Sequence, residues 1–150
     1  MQRAWGPWTS RRSPAERPVS LTLEHRPGTL AICRLAPDAP VPAWASSGTF
    51  HSVTRTADEL SIVCDASVVP ADVPAERDTT ALRVVGTLDL SMVGVLSALS
   101  APLAAAKVPI FVISTFDTDW LLVRTTNYPR AVRALTDAGF PVLEPVPAST

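Results

Sequence analysis

The chain has 150 residues, 47% hydrophobic and 18% charged, which is enough apolar content for a buried core and too little charge for disorder. Its formal charge of −1 is unevenly placed: Arg3, Arg11, Arg12 and Arg17 with Glu16 put +3 on the first eighteen residues and leave −4 on the rest. A body of that sign does not attract nucleic-acid phosphate or an anionic membrane surface.

Residues 1–18 read as a disordered basic tail, or as translation from a start codon placed too early. They hold arginines but no continuous apolar segment, so they do not form a secretory signal. Ser20–Glu24 and Leu30–Leu35 predict two strands joined across Pro27-Gly28. Pro37–Trp44 carries too many prolines for more than one helical turn. Phe50–Thr56 and Leu60–Asp65 predict a hairpin. Cys33 and Cys64 sit in apolar surroundings and read as buried free thiols rather than a disulfide.

The second half is cleaner, because only three of the fifteen prolines fall within residues 79–140. Ala81–Gly86 is an apolar, β-branched run that predicts a buried strand. Asp89 or Ser91 can cap a following helix, in which Met92, Val95, Leu96, Leu99 and Leu103 share one face and Pro102 bends the end. The uncharged run from Leu90 to Ala106 is too short, and too broken by serine, glycine and proline, to span a membrane. Val108–Ser114 predicts a strand, Phe116-Asp117-Thr118 a turn, and Trp120–Val123 another strand. Asn127 caps a second helix with Pro129 in its first turn, Ala131, Val132, Leu135 and Ala138 inward, and Gly139 as its stop. Phe140–Leu143 is the last strand. The order β-α-β-β-α-β predicts an α+β, ferredoxin-like sandwich: a four-stranded antiparallel sheet with both helices on one face.

The first half carries a trace of the second. A shift of sixty residues sets TRTADELSIV (54–63) against STFDTDWLLV (114–123), matching Glu59 to Asp119 and Val63 to Val123. Both segments are predicted hairpins, which points to duplication of one small α/β unit whose first copy is eroded at its helices.

No catalytic constellation emerges. His25 and His51 are the only histidines, and neither has a second ligand at a metal spacing or a nucleophile motif beside it. No phosphate-binding glycine pattern is present, so neither a cofactor nor a metal is expected. Two polar clusters remain. In TLDLSMVG (87–94), a helix start offers N–H groups and a positive dipole end to a carboxylate, and Gly94 lets a ligand approach the backbone. Asp89 and Ser91 are equally ordinary caps. In STFDTDW (114–120), two carboxylates around a threonine suit an ammonium or guanidinium, and are equally turn formers.

The pairing of SVTRTADELSIVC (52–64) with VGTLDLSMVGVLSALSAPLAAAKVPIFVISTFDTDWLLV (85–123) resembles the tandem ACT-domain proteins. Within them it is most similar to the bacterial two-ACT group related to the CASTOR arginine sensors of animal cells. AICRL (31–35) and VPAW (41–44) fit the first unit, and ISTFDTDWLLV (113–123) is the most specific stretch. The resemblance implies an abbreviated N-terminal ACT-like unit at 19–78, a C-terminal ACT domain at 79–144 and a short tail at 145–150. It implies binding of a free amino acid through Asp89, Ser91, Val93 and Gly94, with Pro109 and Ile110 at the following strand. Phe116, Asp117, Thr118 and Asp119 match a segment used for partner contact, so they serve either ligand or partner. The animal sensors have four such units and this chain two, so a composite site requires a homodimer. The expectation is a cytoplasmic, non-enzymatic amino-acid sensor acting on a protein partner. A dimerisation module without a ligand is the alternative.

Overall fold

The structure, a computed structural model, describes residues 20–88 and 92–145. Nine elements follow one another: β1 (Leu23–Leu35), β2 (Ser52–Arg55), β3 (Leu60–Asp65), β4 (Ala75–Val84), α1 (Val95–Ala105), β5 (Phe111–Ser114), β6 (Asp119–Arg124), α2 (Tyr128–Asp137) and β7 (Val142–Leu143). Single 3-10 turns lie at Ala43–Ser46, Ala66–Val68 and Thr125–Asn127. The strands form one sheet in the order β2-β3-β1-β4-β6-β5, with β7 paired to β1. From β4 onward the chain runs β-α-β-β-α-β, the predicted α+β, ferredoxin-like succession.

The expected separation of Ser20–Glu24 from Leu30–Leu35 is corrected: they are one strand. Pro27 has no N–H to give and Gly28 sits at φ 104°, yet β1 stays antiparallel to β4 on both sides of them. Arg26 opposes Ala81 and Leu30 opposes Thr79, so three residues of β1, Pro27 to Thr29, bulge over Thr80 alone. Threonine hydroxyls of β4 take the carbonyls at the bulge. Thr79 Oγ1 donates to Leu30 O at 2.9 Å, and Thr80 Oγ1 lies 3.3 Å from Gly28 O.

A second correction concerns the last strand. A four-stranded unit would set β7 beside β4, but the first residues of β1 lie between them, with β7 parallel to β1 at Leu23–Val142. Leu21 and Leu23 bring apolar side chains to the floor beneath the helices, where they pack with Leu82, Val84, Leu99 and Leu135. The crossover through α2 therefore passes over two strands instead of one.

Element ends follow from their caps. Both helices close with two bonds from a reversed turn: Lys107 N–H to Ala104 O and Val108 N–H to Leu103 O after α1, then Gly139 N–H to Thr136 O and Phe140 N–H to Leu135 O after α2. Val108 and Phe140 are thereby committed to caps, and each precedes a proline. Hence β5 starts at Phe111 and β7 at Val142, later than predicted. Asn127 precedes α2 as expected, although its amide accepts from Arg130 instead of capping the backbone. On α2 the buried residues are Ala131 and Leu135, whereas Ala138 is exposed.

Successive residues of β6 separate the two faces of the sheet. Leu121 and Val123 join the core beneath the helices, while Leu122 packs with Leu30, Val63 and Ala81 on the opposite face. Val63 of β3 and Ile113 of β5 belong to that same second cluster although their strands lie far apart in the sheet, so the sheet curls around it. Beside the helices a smaller core of Ala31, Cys33, Ala45, Leu60, Ile62 and Cys64 lies beneath the first two 3-10 turns. Cys33 and Cys64 are both buried and free, as expected.

Candidate functional site

The β5–β6 hairpin ends in a four-residue turn whose bonds are local. Thr115 N–H donates to Thr118 O at 2.8 Å, and Thr115 Oγ1 donates to the same carbonyl at 3.0 Å. Two further bonds hold this tip against the chain leaving β4. Thr118 Oγ1, in a residue only 5% exposed, donates to Val84 O at 2.7 Å, and Leu88 N–H donates to Asp117 O at 2.6 Å. Phe116 projects from the tip with 72% of its surface exposed.

Between the tip and the start of α1 lies a cleft of about 300 Å³. Gly94, Val95 and Leu96 form one wall and Phe116, Asp117, Thr118 and Asp119 the other, with Leu88, Met92, Ser114 and Thr115 completing it. The two polar clusters singled out in the sequence are thus neighbours across one cleft. Asp119 Oδ1 accepts from Ser114 Oγ at 2.5 Å, and no carboxylate of the cleft pairs with a cation among the described residues.

The predicted residues divide three ways. Gly94 and residues 116–119 line the cleft, while Val93, Pro109 and Ile110 do not. Val93 and Pro109 are exposed, and Ile110 packs toward the core beneath the helices. Asp89 and Ser91 lie outside the described residues. The helix start also falls later than predicted. Gly94 is the residue before α1, not part of its first turn, and Ala98 N–H to Gly94 O at 2.9 Å is the first helical bond. The N–H groups free to meet a carboxylate are consequently those of Val95, Leu96 and Ser97. The reason for glycine changes as well. Its φ is +81°, and a Cβ added there would meet nothing within 4 Å, so backbone conformation, not crowding, requires it. Leu88, Met92, Val95, Leu96, Ser114 and Thr115 also line the cleft and were not among the predicted contacts, because the helix starts later than predicted and the strand-to-tip bonds are not local in sequence.

A second polar cluster was not legible in the sequence at all. His25 Nδ1 lies 2.9 Å from Glu144 Oε2, its Nε2 lies 2.9 Å from Thr80 Oγ1, and Tyr128 OH donates to Glu144 Oε1. The Tyr128 hydrogen bond, with His25, holds the Glu144 carboxyl below its ordinary range, while burial and that carboxylate push the Tyr128 phenol up. The atom order is that of a nucleophilic triad, but Thr80 is 4% exposed and in mid-strand, closed to a substrate. The cluster ties the C-terminal strand to β1. Among the described residues no three His, Cys, Asp or Glu side chains gather to hold a metal, and no helix is long and apolar enough to cross a membrane.

Comparison with known proteins agrees with this fold. A sequence profile of the ACT domain matches residues 75–137, and a second profile, of an N-terminal domain, matches residues 28–72. No curated protein matches the chain. The crystal structure of Atu0741 from Agrobacterium tumefaciens is 34% identical, with a TM-score of 0.82 over 88% of this chain and 98% of that one. VC0802 from Vibrio cholerae is 20% identical with a TM-score of 0.67, covering 80% of this chain and 91% of its own. The regulatory subunit of aspartate kinase from Thermus thermophilus is 14% identical with a TM-score of 0.52, covering 79% and 95%. The fold is that of the ACT domain, which the profile matches over residues 75–137. The chain belongs to the same family as the Agrobacterium protein Atu0741.

Proposed function

We propose that this chain is a non-enzymatic regulatory module that binds a free amino acid in the cleft between α1 and the β5–β6 tip. The observation that carries this reading is that cleft itself: a helix start and two carboxylates without a cationic partner among the described residues line about 300 Å³, within an ACT domain. The α-carboxylate would meet the N–H groups of Val95, Leu96 and Ser97, where the helix dipole favours negative charge. A cationic group of the ligand would meet Asp117 or Asp119. Asp89 and Ser91 would close the site from the chain entering α1, and Pro109 and Ile110 would shape the strand behind it.

The two units would divide near residue 79, with the first abbreviated, as in the two-ACT group related to the CASTOR sensors. The cleft is open on one side, so a second copy would complete it and a homodimer would be the binding species. Occupancy would then favour one arrangement of copies and be read by a protein partner in the cytoplasm. The aspartate kinase regulatory subunits share this fold, which supports a regulatory role.

The alternative is an interaction module with no small ligand. It is favoured by the exposed apolar side chains of Met92, Leu96 and Phe116 around the mouth of the cleft. Thermal denaturation of the full chain with each of the twenty amino acids at millimolar concentration separates the two. A ligand present at a hundred times its Kd stabilises the fold by about 2.7 kcal/mol, an easily measured rise in Tm. Response to one amino acid, lost in Asp117→Asn or Asp119→Asn, supports the sensor. Twenty unchanged curves overturn it in favour of the interaction module.

A further inference from the structure

The six-strand run of the sheet ends at β2 and β5, neither of which pairs with a further strand among the described residues, and its curl turns them toward each other. They are not hydrogen-bonded. They flank a groove of about 220 Å³ on the face away from the helices, lined by Ser52 and Thr54 of β2, Ser61 and Val63 of β3, and Phe111–Ser114 of β5. This groove shares only Ser114 with the cleft beside α1.

The register gives the direction of the backbone groups. Thr56 N–H bonds Glu59 O and Thr115 N–H bonds Thr118 O, closing the β2–β3 and β5–β6 hairpins. Antiparallel strands alternate between paired and outward-facing groups from such a closing bond. Val53 and Arg55 therefore turn their N–H and C=O away from β3, and Val112 and Ser114 turn theirs away from β6. Val112 provides a check. Its side chain packs toward the helix layer, so it lines the groove through its backbone. No other backbone group among the described residues bonds to these four.

We propose that this seam binds an extended, uncharged peptide segment, which lies between β2 and β5 as a missing strand. Six strands alternate in direction from β2 to β5, so an inserted segment would run antiparallel to one edge and parallel to the other. The lining decides the chemistry of the occupant. It offers the hydroxyls of Ser52, Thr54 and Ser61 over an apolar floor of Val63, Phe111 and Ile113, and its lining contains neither a carboxylate nor a cation. A charged side chain would enter without a partner, whereas β-branched and hydroxyl side chains would find matching surface. A folded second copy does not fit the same role, because its own edge strand is backed by a whole sheet that the facing edges would exclude.

The test is an NMR titration of the full, ¹⁵N-labelled chain with acetyl-Thr-Val-Thr-Val-amide. The expected result is saturable shifts of the amides of Val53, Arg55, Val112 and Ser114, with Val95 and Leu96 unmoved. Val112→Pro removes an outward N–H and no ladder bond, and Ser61→Phe fills the floor. Each folded variant should weaken binding by about tenfold or more. If Val112→Pro does not fold, Ser61→Phe alone decides. No shifts, shifts confined to the α1 cleft, or unchanged affinity in a folded variant would overturn the proposal. Shifts of the same amides on raising protein concentration alone would overturn it too, assigning the seam to a second copy. None of these outcomes depends on whether the α1 cleft binds an amino acid.

Discussion

The two hairpins of this molecule are built alike and covered differently. β2–β3 and β5–β6 both close on a threonine that bonds the carbonyl three residues on, Thr56 to Glu59 and Thr115 to Thr118. Over the second hairpin lie two helices, a largely apolar α1 and an amphipathic α2, ended by the same reversed turn. Over the first lie loops held by arginine. Arg77 donates to the carbonyls of Val69, Pro70 and Val73, Arg55 to those of Pro37 and Ala39, and Arg34 to Asp58 O and the Glu59 carboxylate. A guanidinium can satisfy several loop carbonyls that a helix would have satisfied internally. The covering also decides whether a cleft exists. The carbonyl of Asp117 accepts from the backbone of Leu88, leaving space beside α1, whereas the equivalent carbonyl of Asp58 accepts from the Arg34 side chain. The first tip is thereby plugged by the chain's own cation.

The contrast breaks most readily in the helix layer. Leu99 is fully buried between α1 and the sheet, and Leu99→Ala should cost about 2–5 kcal/mol by urea denaturation. A loss below 1 kcal/mol would mean that the helices do not carry the second half.

The next effect belongs to the first half and depends on pH. Burial pushes the Cys64 thiol up to about 11 from 9.0, and Cys33 and Asp65 add to the shift. The unfolded chain gives up this proton first, so the stabilisation is complete below pH 9 and is lost as pH rises toward 11. Two pH units correspond to about 2–3 kcal/mol. Cys64→Val should flatten the alkaline limb of the stability profile, and an unchanged limb would reassign it.

How much of this contrast was legible in the sequence follows from the kind of signal each part leaves. The helices, the hairpins and the stop at Gly139 were readable because periodicity and capping are local. The likeness of the two hairpins was readable but out of register. A shift of sixty aligns Ile62 of the smaller core with Leu122 on the face away from the helices, whereas the matching turns give fifty-nine and align Ile62 with Leu121. The continuity of β1 through Pro27-Gly28 was not readable, because it rests on threonine hydroxyls about fifty residues away. The candidate site was half legible: its two polar clusters were visible, but not the bonds that bring them together. The start of α1 was placed too early, because Asp89 and Ser91 look like caps whereas the residue before the helix is a glycine at positive φ.

The arginine clasps should yield less than the leucine. Arg77→Ala leaves three loop carbonyls to water or to nothing, and should cost about 1–2 kcal/mol. Hydrogen exchange should rise in residues 66–75 and stay unchanged in α1 and α2. Acceleration across both halves would show that the clasp supports the whole sheet and not its own loop.

The smallest effect tests the cleft itself. Thr118 and Glu59 occupy the same place in the two turns, but Thr118 sends its hydroxyl to the Val84 carbonyl, whereas Glu59 meets Arg34 at the surface. Thr118→Val keeps the volume and removes the donor, so it should cost about 1 kcal/mol and free the tip from the strand. Thr118→Ser keeps the donor and should restore most of the loss. Glu59→Gln breaks only an exposed pair and should cost less than about 0.5 kcal/mol. The decisive readout is exchange of the amides of Leu88 and Thr115, which Thr118→Val should accelerate while Thr56 is unmoved. Equal acceleration at both tips would mean that the hairpins share one opening, and that their different covers do not set the cleft apart.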